Sequence, residues 1–170
     1  MRGNGSIFVT LGLCLGLLLC SPVDRAIGAE KITGVQGFVL GAGEQDCDAQ
    51  AKKLGLVFLL KGNIDTITEV HRYQGEFFGV AQGVCDLIYR NGALSSINIS
   101  IEPAGDADKE RIQVAFAALG AEGLKKYGPA GGDRTGESDG SSTLHWEQGD
   151  DRVMYSFKPG AYLSLHSMRL

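Results

Sequence analysis

Chemistry in this sequence could rest on two cysteines, three histidines and a few acidic stretches rich in glycine. After residue 29 the cysteines are Cys47 and Cys85, 38 positions apart. Neither has a histidine within a few residues, and no C-x-x-C motif is present. The spacing therefore argues against a zinc cluster and against dithiol redox chemistry. Two such cysteines pair in an oxidising compartment. Closing that loop would restrict the unfolded chain by about 4 kcal/mol. Cys47 and Cys85 are expected to form a structural disulfide that staples a helix to a sheet.

The remaining patterns give no site. His71, His145 and His166 all fall on expected strands, and their spacing assigns no metal. "VLGAGEQD" (39–46) has the strand, G-x-G and helix start of a dinucleotide site. Asp46 stands where the third glycine belongs, and Glu44 and Asp46 would repel a pyrophosphate. "GGDRTGESDGSS" (131–142) offers Asp133, Glu137 and Asp139, but not in the EF-hand order. No serine sits in a nucleophile elbow. Asn98-Ile99-Ser100 fits a glycosylation sequon, but on a strand. The expectation is a protein that is not an enzyme, with no catalytic residue, cofactor or metal ligand.

The N-terminus bears on location. "MRGNGSIFVTLGLCLGLLLC" has a basic start and an apolar run from Ile7 to Cys20. That run is shorter than the roughly 20 residues that span a bilayer. A short polar stretch and "AIGA" follow, with Ala29 before a cut. This is the layout of a secretory signal peptide over 1–29, leaving a single secreted α+β domain over 30–170 and no transmembrane segment in the mature form. Lipid anchoring at Cys20 is the weaker reading, because Leu19 replaces the small residue such signals want. The expected location is the periplasm or the exterior.

Sixteen basic and twenty acidic residues give the full chain a charge of −4, and without 1–29 the counts are fourteen and nineteen. A mildly acidic surface argues against nucleic acid and anionic membrane as partners.

The elements that must position these residues read as follows. "ITGVQGFVL" is a first strand. "GAGEQDCDAQAKKLG" is a helix with acidic residues in its first turn and Lys52 and Lys53 in its last, the order the helix dipole favours. Cys47, Ala51 and Leu54 recur at helical spacing, so Cys47 faces the core. "LVFLL" reads equally as a short buried strand or as more of the helix. "TITEVHRY" and the segment ending "QGVCDLIYRNG" are strands. Asn91-Gly92 marks a hairpin. A three-residue loop pairs Cys85 with Ile97 and keeps Cys85, Leu87, Tyr89, Ile97, Ile99 and Ile101 on one apolar face. "DADKERIQVAFAALGAEGLKKYGP" is the clearest helix, weakened by Gly120 and Gly123. A mobile loop is expected near 130–142, and "TLHWEQ", "RVMYSF" and "YLSLHSMRL" form a closing meander.

The expected fold is α+β: an antiparallel sheet of about six strands, two helices packed on one face, and two α-β-β-β halves. With "KKYGP…HWEQGDDRVMYSF" in the second half, this order resembles small bacterial exported domains of the outer-membrane-assembly lipoprotein or β-lactamase-inhibitor kind. The resemblance is architectural and carries over no site. The functional expectation is a non-enzymatic exported protein that binds another protein, as an assembly, inhibitor or immunity-type module does. The alternative is a small-molecule or metal-binding protein using the concave sheet. His145, Met154 and Phe78 are the expected binding face, on the side of the sheet away from the helices.

Overall fold

The computed structural model describes residues 30–131 and 140–170. The expected signal peptide, with Cys20, and most of the expected mobile loop lie outside the described residues.

The elements in chain order are β1 (Gly34–Val35), β2 (Phe38–Val39), α1 (Glu44–Lys53), β3 (Val57–Asn63), β4 (Thr68–Phe77), β5 (Val80–Arg90), β6 (Ala93–Ile101), α2 (Asp106–Tyr127), β7 (Ser142–Gln148), β8 (Asp151–Lys158) and β9 (Tyr162–Arg169). The fold is α+β, with a seven-stranded antiparallel sheet of order β3-β4-β5-β6-β9-β8-β7. Helix α1 precedes a run of four strands and α2 a run of three. The runs join through their last strands, with Ile99 of β6 opposite Leu165 of β9. The expected first strand is instead a separate hairpin, β1–β2, turned at Gln36-Gly37 with both residues at positive φ.

The β5–β6 hairpin corrects the expected register. Asn91 and Gly92 form a two-residue loop, so Arg90 pairs with Ala93, and Cys85 pairs with Ile99 rather than Ile97. Asn91 has φ 52° and Gly92 φ 78°, the left-handed pair that matches strand twist. A two-residue loop in an unbroken ladder would put Asp86 opposite Ile97, a mixing of the faces. An extra residue removes it: Tyr89 pairs with Leu94 and Ile88 with Ser96, leaving Ser95 as a bulge whose Oγ donates to the Ile88 carbonyl at 3.0 Å. Leu87 then meets Ile97, and Cys85, Leu87, Tyr89, Ile97, Ile99 and Ile101 are all buried.

Val153, Tyr155, Phe157, Leu163 and Leu165 continue this buried face. Phe116 of α2 stacks on Phe157 with ring centres 5.1 Å apart. Helix α1 touches the sheet at Tyr73, whose hydroxyl donates to Asp48. The start of α1 is tied to β6: Gly41 donates to the Leu94 carbonyl at 2.7 Å and Leu94 to Ala42 at 2.8 Å. Glu44, the first residue of α1, is thereby held over the β4–β5 end of the sheet. No helix among the described residues is long and apolar enough to cross a membrane.

Candidate functional site

The residues expected to act do not gather in one place. His145 of β7 and Met154 of β8 are cross-strand neighbours and share a row with His166 and Asn98 on the face opposite the core. His166 accepts or donates at 3.0 Å to the Ser96 hydroxyl, and burial, followed by nearby Arg152, lowers its pKa. Phe78 is elsewhere. It forms the tip of the β4–β5 hairpin, half-buried beside Ala107, Arg111 and Val114 of α2. Phe78 and Gly79 make a two-residue turn with φ 56° and 76°, and Phe77 pairs with Val80. Because the strand stops at Phe77, the two rings are not on alternating strand faces. Phe77 is buried and Phe78 leans on the core.

The expected disulfide is also not formed: Cys47 and Cys85 are free, buried thiols. Cys47 faces the hydroxyl of Tyr89, which stands four residues along β5 from Cys85. Cys47 also lies near enough to Cys85 to add to the rise in that thiol's pKa. Burial raises the pKa of both thiols, that of Cys85 to about 12. The reduced native protein should therefore react with a thiol reagent far more slowly than the unfolded chain, in which both cysteines titrate. Fast labelling of either one in the native state would contradict this placement.

Two features remain with functional geometry. The first is a polar cluster where α1 begins above the β3–β4 edge. His71 of β4 is buried, with its Nε2 donating to Glu69 Oε1 at 2.8 Å. Glu44 Oε1 lies 3.7 Å from the same nitrogen. The Lys61 ammonium, from β3, sits 3.2 Å from Glu44 and 2.9 Å from Glu69. Hydrogen bonds from Lys61 and then His71 lower the Glu69 pKa, and the bond to Glu69 raises that of Lys61. Glu44, Glu69 and Tyr89 also line a cavity of about 320 Å³ with Asp65, Asn63 and Asn91. His71 Nδ1 is buried and reaches no hydrogen-bond partner.

The second is the edge strand β3. Val57, Phe58, Leu59 and Leu60 are consecutive, and their exposures are 63%, 50%, 47% and 45%. Consecutive strand residues alternate, so the run puts apolar side chains on both sides of the edge. At the other edge, β7 exposes mainly polar residues, with Trp146 buried. Natural edge strands are blunted by charge, proline or cover. Over 57–60 β3 has none of these in its sequence.

No protein-family model, no curated protein and no solved structure matches this chain.

Proposed function

We propose that this is a non-enzymatic exported protein that acts by binding another protein, and that its partner adds an extended strand to β3. The observation that carries this reading is the run Val57–Leu60, four apolar residues in a row at an open sheet edge. A free edge offers a row of backbone donors and acceptors, and the alternating apolar side chains supply specificity. Glu44, Asp48 and Glu69 beside the edge are matched by Lys52, Lys61 and, opposite Leu60, Arg72, so the apolar run rather than net charge selects the partner's strand. Export rests on the leader-like 1–29.

This reading moves the binding surface away from His145 and Met154. Photo-reactive residues placed at positions 59, 145 and 154 in an exporting host separate the two. Position 59 should crosslink to one discrete partner, and positions 145 and 154 should not. Crosslinks only from 145 or 154, none from 59, or only to a second copy of this chain would each overturn it. N-terminal sequencing of the same material should find Glu30 first, and its thiol count reads the state of Cys47 and Cys85 after export.

A further inference from the structure

We infer that Glu44, Glu69 and His71 form a binding site for a divalent first-row transition metal, with Lys61 as the built-in cation that the metal replaces. The three ligand atoms lie within 4.8 Å of one another. Ligands about 2.0–2.2 Å from a zinc ion stand no more than about 4.4 Å apart. The cluster is thus near the required size and needs only a small contraction. One imidazole with two carboxylates suits zinc or its first-row neighbours better than calcium or magnesium, which want oxygen alone. The donors also come from two different elements. Glu69 and His71 share one face of β4 by their i, i+2 spacing, and Glu44 is delivered by the first turn of α1.

A further observation points to a ligand: His71 is a fully buried side chain whose Nε2 is aimed at both carboxylates while its Nδ1 bonds nothing. For a metal to take Nε2, the proton that nitrogen now donates to Glu69 must shift to Nδ1. The shift breaks no existing bond at Nδ1.

Lys61 explains how the site persists without metal. Its ammonium pairs with both carboxylates. It is also close to half exposed, so it can swing into solvent when a metal enters. Metal and Lys61 therefore compete for the same two oxygens. The competition makes opposite predictions for two substitutions in the same cluster, which an unspecific effect of mutation would not.

The test is zinc titration by calorimetry, with cobalt absorption as a second readout, on protein purified from an exporting host. One zinc should bind per chain. Glu44→Gln, at an exposed ligand that leaves the core untouched, should weaken binding by about tenfold or more. Lys61→Met should strengthen it by about tenfold, because two uncompensated carboxylates then await the metal. Glu76→Gln, on the same strand but outside the cluster, should change nothing. Circular dichroism confirms that each variant is folded. Absence of stoichiometric zinc binding, an unchanged affinity in Glu44→Gln, or a Lys61→Met protein that binds no tighter would each overturn the assignment.

Discussion

An Ile99→Asp protein will not fold, whereas Ser100→Asp, one residue on, will unfold within about 0.5 kcal/mol of the parent. Ile99 is wholly buried, flanked by Cys85 of β5 and Leu165 of β9. Removing its side chain alone costs about 2–5 kcal/mol through lost burial and the cavity left behind. The aspartate then has to lie uncharged or unpaired among Leu87, Leu163 and Leu165, and a buried polar group without a partner costs about 1–3 kcal/mol more, an ionised one more again. Domains of this size are stable by only about 5–15 kcal/mol. Ser100 points the other way and is exposed. Urea unfolding followed by circular dichroism checks both. A folded Ile99→Asp, or a Ser100→Asp that collapses, would mean that the two faces of the sheet are reversed.

That contrast was legible in the sequence because strand alternation has a period of two and survives errors of register. Pairing Cys85 with Ile99 instead of Ile97 moves every partner from Ile88 back to Cys85 by two positions, and two positions return each side chain to the same face. The local device behind the shift was not legible. Ser95 is an ordinary strand residue, and nothing in its type announces a bulge. The Phe78-Gly79 turn was partly legible: the glycines of "QGEFFGVAQG" suggest a bend or bulge, but phenylalanine is a poor occupant of left-handed backbone and does not mark the turn itself. The β3 edge was half legible. "LVFLL" stood out as apolar, but apolar runs are read as buried, and only the sheet order shows that this one has a neighbour on a single side.

The polar cluster divides in the same way. Glu69 and His71, two apart on an expected strand, had to share a face, and that signal was available. Glu44 and Lys61 reach them only through the packing of α1 and the β3–β4 pairing, where Lys61 stands opposite His71. The cysteines show the limit of spacing arguments. Helical periodicity correctly turned Cys47 inward and strand alternation turned Cys85 inward, but two inward thiols need not be bonded.

Gly123→Val should destabilise the protein by about 3 kcal/mol, and Gly120→Ala should leave it unchanged or more stable. Both glycines look like weaknesses of α2 by propensity, about 1 kcal/mol each against alanine. Gly123 is not one. It is buried, and a Cβ there would come 2.7 Å from Trp146 Cζ2. The ring cannot move aside cheaply. Its Nε1 donates to the Gly128 carbonyl at 2.9 Å, and it packs against Tyr127 and Tyr155 with ring centres 5.9 and 5.5 Å away. Valine adds three carbons where the first already overlaps, and its branching costs helix stability besides. At Gly120 the near atom is Leu144 Cδ1, 2.8 Å away, the far end of a half-buried and flexible side chain. A rotamer change there makes room, and the helix gains what glycine had cost it. Urea midpoints of the two variants test the pair together. A Gly123→Val midpoint equal to that of the parent would show that α2 does not rest on Trp146, and the packing that holds this helix to β7 and β8 would have to lie elsewhere.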